Sequence, residues 1–412
     1  MSLTLIVHRG TTQIGGSCIE ILHPNGERII LDAGRPLDAP EGATGLLPSS
    51  LDRSRPATVL ISHPHQDHWG LVEELRPAWP VWTGRGSAKL ITITSNVTRR
   101  PLARHFETWD SRSGAFQIGA FTVTPFLTDH SAFDAYMLLI EGAGKRIFYT
   151  GDYRRHGRKS ALVDGMMARP PREIDVLLTE GTNLGADKPV KSETALEDEF
   201  TELFERTAGR VFVSWSGQNI DRTVTLYRAA KRTGRTLAID LYTADVLDSI
   251  ADGTSLPRAG FANLKVIITS GLSRHYRKQG REDFVERMVP HGISAKALVG
   301  GKHVVMLRRA LIGDYTRAGV VPAAADAFNF SMWHGYLTHP YHAESLDWFS
   351  NGGGEVARIH TSGHASPADL RAFAKALNPK AIVPVHGVKW DEEAAGFPAI
   401  CRLADNEPMI VS

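Results

Sequence analysis

Six consecutive residues, His63-Pro64-His65-Gln66-Asp67-His68, place four side chains able to bind a metal in one short stretch. The apolar run 57–62 before them reads as a buried strand, and 70–75 reads as the start of a helix. The four groups therefore sit on a strand-to-helix loop. Imidazole nitrogen and carboxylate oxygen suit Zn²⁺ or a similar first-row divalent ion, and no thiolate stands nearby to close a purely structural site. The alternative is a polar turn whose histidines satisfy local hydrogen bonds; four such groups in so tight a loop count against it.

At 412 residues the chain is too long for one compact core, so two or three packed units are expected. Lys plus Arg number 47 against 45 Asp plus Glu, so any anion site must be a local patch. Cys18 and Cys401 lie near opposite ends with no metal or redox spacing, which fits a reducing cytoplasm. The run 3–7 enters a strand pattern with no charged leader, and neither a signal peptide nor a membrane span is expected.

Strand patterns occupy 3–7, 18–22, 28–32, 58–62, 121–127, 135–140, 146–150 and 174–179, the mark of a sheet-rich α/β unit. The texture changes near Lys191, where Thr194 and Glu197 can form a capping box ahead of Leu196, Phe200, Leu203 and Phe204. Strands at 210–214, 235–240, 264–269 and 303–307, with a helix at 219–233, then suggest a second unit built on a parallel sheet. Gly352-Gly353-Gly354 marks the exit, after which 355–360 is expected to resume a strand. Ser366-Pro367-Ala368-Asp369 opens a helix with an N-cap, a proline at its first position and an acid at its third, and Asn378-Pro379 ends it.

The opening loop cannot complete two metal sites alone. Three further candidates each follow an apolar run: His130 after 121–127, Asp152 after 146–151 and His386 after 381–385. Taken singly they could be a turn residue, an Asx-turn acceptor and a core histidine. Their shared position at the C-terminal ends of strands, where side chains project into a common cleft, is what singles them out. His364 stands just before a helix N-terminus, where backbone N–H groups and the helix dipole favour an anion such as phosphate. It could donate a proton to a leaving oxygen, or merely cap its own helix, a place Ser366 already takes.

With Asp32, the 63–68 cluster, His130, Asp152 and His386 in this order, the sequence resembles the metallo-β-lactamase superfamily over nearly its whole length. The resemblance implies an αββα sandwich with two metal ions in its cleft. His63, His65 and His130 would hold one ion, Asp67, His68 and His386 the other, with Asp152 bridging and Asp32 orienting a ligand from behind. Asp32 by itself reads equally as a strand-end turn.

The long insertion between Asp152 and His386, Glu180-Gly181-Thr182-Asn183, Thr361-Ser362-Gly363-His364-Ala365-Ser366 and Pro384-Val385-His386-Gly387 look like the β-CASP nuclease branch, and the ribonuclease J group within it. That resemblance implies an inserted β-CASP α/β domain, with the metallo-β-lactamase domain at 1–190 and 355–412 and the insertion at 191–354. It further implies a cytoplasmic metal-dependent hydrolase cleaving phosphodiester bonds of RNA or single-stranded DNA, as an exo- or endonuclease. Two divalent ions, Zn²⁺ or else Mn²⁺, would serve it, with Asp67, Glu180 and His364 as catalytic residues. Ser362 and Gly363 would contact substrate phosphate, as would Ser216 and Asn219, where the wording departs from the usual ribonuclease J pattern. Trp215 could stack on a base or belong to the core, and Arg274-His275-Tyr276-Arg277-Lys278 with Arg281 could follow phosphates or form a solvated helix face. The chain is expected to lack the extra C-terminal domain of many ribonuclease J proteins, and a homodimer is left open. The alternative activity is hydrolysis of a small ester, lactone or cyclic nucleotide under a lid.

Overall fold

Leu3, Leu5 and Val7 alternate along the first strand and are fully buried, the period-two pattern of a strand with one face on a core. The computed structural model describes residues 2–100, 102–186 and 190–412. It divides into one unit of Met1–Ser95, Pro101–Pro189 and Gly363–Ser412 and a second of Asn96–Arg100 and Val190–Ser362.

Along the first unit run β1 (Leu3–Arg9), β2 (Cys18–Leu22), β3 (Arg28–Leu31), β4 (Thr58–Ile61), β5 (Val81–Gly84) and β6 (Phe106–Trp109). They are followed by β7 (Phe116–Ile118), β8 (Phe121–Leu127), β9 (Tyr136–Gly142), β10 (Lys145–Tyr149) and β11 (Val176–Thr179). The second unit contributes β12 (Val211–Ser214), β13 (Thr236–Asp240), β14 (Leu264–Ile267), β15 (Gly292–Ile293), β16 (His303–Met306), β17 (Ala327–Phe330) and β18 (Glu355–Ala357). The chain then returns to the first unit with β19 (Ala381–Pro384) and β20 (Pro408–Val411).

Two mixed sheets of the first unit, ordered β20-β1-β2-β3-β4-β5-β6 and β19-β11-β10-β9-β8-β7, face one another. Leu5, Ile19, Leu31 and Leu60 of one sheet pack on Val123, Leu138, Ile147 and Val383 of the other. Outside the first sheet, Ile30, Val59 and Ile61 meet Trp69, Leu75 and Ile91. Outside the second, Met137, Phe148 and Leu177 meet Leu370, Phe373 and Leu377 of helix Pro367–Leu377. The expected αββα sandwich is therefore present, and the second unit is an α/β layer on an all-parallel sheet ordered β15-β14-β13-β16-β12-β17-β18.

Strand direction prepares the site. β10, β11 and β19 are parallel neighbours, and β8 points the same way because two antiparallel pairings separate it from β10. Their C-terminal ends thus share one sheet edge, while β3 and β4 are parallel in the facing sheet. Side chains just beyond these ends are brought together by topology.

Several local expectations are corrected. Helix begins at Gln66 rather than near Gly70, and 72–74 is a 3-10 turn. Asp67 and His68 are thus on a helical turn, not on a loop before one. The helix Glu193–Arg206 is capped by Ser192, whose side chain accepts from Ala195 N, so Thr194 is already inside it. Glu355–Ala357 does not rejoin the sandwich but pairs with β17 as an edge strand of the parallel sheet. Its three residues carry too little patterning to reveal their partner. Ser366 caps its helix as expected, with Asn378 left-handed at the other end.

Candidate metal centre

Backbone bonds first fix the short helix Gln66–Trp69. The carbonyls of Gln66, Asp67 and His68 accept from the N–H groups of Arg35, Ser17 and Ala33, which stitches this turn to the loop after β3 and to the residue just before β2. Gly34 is required in that loop, because a Cβ there would lie 1.7 Å from the carbonyl oxygen of Asp67.

Three groups of side chains then converge, the donor atoms of each lying within 4.8 Å of one another: His63, His65 and His130; Asp67, His68, Asp152 and His386; and Asp152, Glu180 and His364. Asp152 Oδ2 lies 3.2 Å from His68 Nε2 and 3.7 Å from His63 Nε2, and Asp152 Oδ1 lies 3.5 Å from His386 Nδ1. Asp67 Oδ2 is 3.7 Å from both His68 Nε2 and His386 Nε2. Among the described residues, His63 Nε2, His68 Nε2, His386 Nε2 and both Asp152 carboxylate oxygens are buried without a hydrogen-bond partner. Buried polar atoms carry a desolvation cost unless something binds them. Five such atoms aimed at one another fit divalent cations, and the nitrogen and oxygen donor set suits a binuclear centre.

The supporting contacts set each ring's role. Asp32, at the end of β3 with φ of 61°, accepts from His68 Nδ1 at 2.7 Å, from Tyr149 Oη at 2.7 Å and from Ser62 through N at 2.7 Å and Oγ at 2.9 Å. His130 Nδ1 donates to the carbonyl of Gly363 at 2.6 Å, which turns its Nε2 inward, 3.2 Å from His65 Nδ1. Ser17 Oγ lies 3.3 Å from His386 Nδ1. Carbonyl and carboxylate partners of this kind fix tautomer and orientation.

Electrostatics follows from burial. Desolvation, reinforced by neighbouring imidazoles, holds His63 and His130 well below the ordinary histidine range. Desolvation also takes His65 down to about 4, against the pull of Asp67 and Asp152. These three rings are neutral, the form that ligates metal. Burial opposes charge on Asp152 as well, but His386, His68 and His364 prevail and hold it ionised.

The third group extends the site. Glu180 is buried, accepts from Tyr153 N at 3.1 Å and Thr182 N at 3.3 Å, and its Oε2 is 3.0 Å from His364 Nδ1. Burial disfavours the His364 cation, yet Glu180 and then Asp152 outweigh it and raise the group to about 9.

Other sequence candidates lie elsewhere. Ser216 and Asn219 belong to the second unit; Asn219 caps helix Ile220–Arg232 through its side chain, and Ser216 is exposed. Ser362 is the last residue of that unit and Gly363 the first of the returning segment. Trp215 is a core residue whose indole donates to Thr223 Oγ1, so it is no stacking platform. Sequence reasoning missed Tyr149, Ser62 and the Asp129–Arg154 pair that braces the His130 loop. Tyr149 had a signal: an inward strand position with a hydroxyl that must find a partner.

Comparison with known proteins gives two family-model matches, each running a short way into the second unit. A family model described as beta-lactamase superfamily domain matches 27–215, and one described as Zn-dependent metallo-hydrolase RNA specificity domain matches 354–393. The chain belongs to the metallo-β-lactamase superfamily. Within the superfamily it is similar to ribonuclease J 1 of Streptococcus pyogenes serotype M3, 24% identical over 92% of this chain and 67% of that protein. It is also similar to ribonuclease J of Mycolicibacterium smegmatis, 24% identical over 80% of this chain and 58% of the relative, so it spans only part of these proteins. An endoribonuclease, YSH1, of Gibberella zeae is 30% identical over 50% of this chain and 27% of its own length. In fold it resembles a crystal structure of a protein of unknown function from Enterococcus faecalis V583, with TM-score 0.80, 19% identity and full coverage of both chains. The parallel-sheet unit is consistent with the superfamily's β-CASP insertion. No helix among the described residues is long and apolar enough to cross a membrane.

Proposed function

We propose that this protein is a metal-dependent nuclease hydrolysing phosphodiester bonds of single-stranded RNA, with single-stranded DNA as the related substrate. The observation that carries the reading is the Glu180–His364 pair, 3.0 Å apart and joined to the ligand clusters through Asp152. His364 can give a proton to a leaving oxygen, and a cationic donor added to two metal ions suits the charge that a phosphodiester, unlike a neutral ester or lactone, carries on its non-bridging oxygens. The RNA specificity model and the ribonuclease J relatives point the same way.

His63, His65 and His130 would hold one ion and Asp67, His68 and His386 the other, with Asp152 between them. Two divalent ions, Zn²⁺ or Mn²⁺, would supply Lewis acidity toward a phosphoryl oxygen and lower the pKa of water to about 7. Asp32 keeps His68 directed inward, and Gly363 does the same for His130. Asp67, 14% exposed where the other members of its group are 2% or less, is the carboxylate best placed to orient an entering water. Glu180 holds a proton on Nδ1 of His364, so that Nε2 delivers the proton needed by the leaving oxygen. Backbone N–H groups of Ser362 and Gly363 would hold phosphate oxygens. Asn219 gives its side-chain oxygen to the cap of its helix, so its amide N–H groups, with the hydroxyl of Ser216, would be the phosphate donors of that loop.

The test is incubation of end-labelled RNA and DNA strands, carrying 5′-phosphate or 5′-hydroxyl, with Zn²⁺ or Mn²⁺. Strand cleavage that Asp152→Ala abolishes without loss of fold is the expected result. Turnover of small esters, lactones or cyclic nucleotides alone would overturn the proposal.

A further inference from the structure

Helix Ser270–Lys278 of the second unit carries Arg274, His275, Arg277 and Lys278 and no acidic residue, in a protein whose net charge is only +2. Ser270, Ser273, Arg274, Arg277 and Lys278 share one face, following the i, i+3, i+4, i+7 spacing, and line a concavity of about 460 Å³. Ser273 is only 8% exposed, lines this concavity, and its Oγ is buried without a hydrogen-bond partner. A buried hydroxyl left unsatisfied costs stability unless a ligand binds it.

The surroundings leave the charges available. Arg277 reaches Glu282 at 3.4 Å in a pair exposed on both sides, which contributes little and can be exchanged. Among the described residues, Arg274 and Lys278 have no carboxylate within ion-pair distance. Ser270 Oγ lies 3.5 Å from Asp314 Oδ1, and Asp314 is itself paired with Arg317. Behind the helix, Tyr276 is buried and donates to Asp245 Oδ2 at 3.0 Å, while Arg281 grips the same carboxylate as a fork and lies over the Tyr276 ring. Arg281 thus anchors the helix and is not part of the basic face. These contacts anchor the helix, so binding there orders the exposed side chains on a fixed backbone.

We propose that this concavity is a phosphate-holding site for the backbone of a single-stranded nucleic acid, gripping phosphates other than the scissile one. Ser273 Oγ would donate to one phosphate oxygen, with Arg274, Arg277 and Lys278 as charged donors along the strand. This inference rests on the nuclease reading. It adds a contact that retains a polymer and leaves a small phosphodiester unaffected.

The test compares the full chain with the triple variant Arg274→Ala/Arg277→Ala/Lys278→Ala, using a labelled 5′-hydroxyl RNA strand at several salt concentrations. Each lost phosphate contact reduces the slope of log affinity against log salt by about 0.7, so the variant's slope should be shallower by about 2, with at least tenfold weaker binding at low salt. Ser273→Ala should weaken binding roughly two- to tenfold while the melting temperature of the free protein stays the same or rises, because the unsatisfied hydroxyl is gone. Hydrolysis of bis(p-nitrophenyl) phosphate, which reads the metal centre alone, should stay at the parent rate in both. Equal affinity and slope in parent and triple variant, with the parent cleaving the strand, overturn this inference and leave the nuclease reading standing. A loss confined to phosphatidylserine vesicles overturns it in favour of a membrane surface. A parent protein that hydrolyses the small phosphodiester but neither binds nor cleaves any strand overturns both.

Discussion

Asp32 Oδ2 and His68 Nδ1 are 2.7 Å apart with neither side chain exposed, although 36 residues separate them in the chain. The carboxylate fixes the ring so that Nε2 faces Asp152, and Tyr149 and Ser62 consume the rest of its acceptor capacity.

Weakening this support should therefore act on metal affinity. Asp32→Asn is expected to lower affinity for Zn²⁺ about 10- to 100-fold, read by equilibrium dialysis. Tyr149→Phe removes only one donor and should cost about 1 kcal/mol of stability in urea unfolding, with metal content kept. Unchanged dialysis curves for Asp32→Asn would show that the contact is structural only.

Gly363 offers a sharper steric test. A Cβ at this position would lie 2.4 Å from Ser131 Oγ, and the Gly363 carbonyl is the partner of His130. Gly363→Ala should displace that carbonyl, reduce bound metal below two ions per chain and slow hydrolysis at least tenfold. Adding Ser131→Gly removes the obstructing side chain and should restore both readings; failure of the double variant to recover would locate the defect elsewhere.

His364 and Glu180 should separate chemistry from ligation. His364→Ala is expected to reduce kcat by about 10² to 10⁴, with two ions still bound by elemental analysis. Glu180→Gln keeps the contact without the charge and should fall between parent and His364→Ala. Should metal content drop in step with rate, the third cluster is a ligand set and not a proton donor.

In the second unit, Glu193 and Arg222 form a pair with side chains 1% and 0% exposed. Thr225 Oγ1 donates to the carboxylate and Arg222 Nη1 to the Ser331 carbonyl. Removing one charge strands the other, so Glu193→Gln should cost about 3 to 5 kcal/mol, while a joint apolar replacement of both costs much less. Urea denaturation of single and double variants gives the comparison.

Much of the sandwich was readable from local pattern. Alternating apolar residues marked β1, β2 and β8, a continuous apolar run marked β10, and the serine, proline and acid at 366–369 marked a helix start that the structure reproduces. Short elements were less legible: β5 to β7 were not anticipated, and β18 was assigned to the wrong sheet because three residues can pair almost anywhere. Of the site candidates, the density of His and Asp after strand-like runs was visible in the chain. The bracing by Tyr149, Gly363 and Asp129 was not.

The sequence by itself determined which residues carry donor groups, where strands and caps begin, and that a turn dense in histidine and aspartate follows β4. Those properties depend on neighbours within about four positions, through side-chain periodicity and capping. Tertiary structure alone decided that side chains from 63 to 386 meet, and that Asp32 serves His68. It also decided that Trp215 and Arg281 are structural while a buried hydroxyl on helix Ser270–Lys278 is left without a partner. Such outcomes follow from strand direction, sheet order and burial, which arise from contacts between residues far apart in the chain.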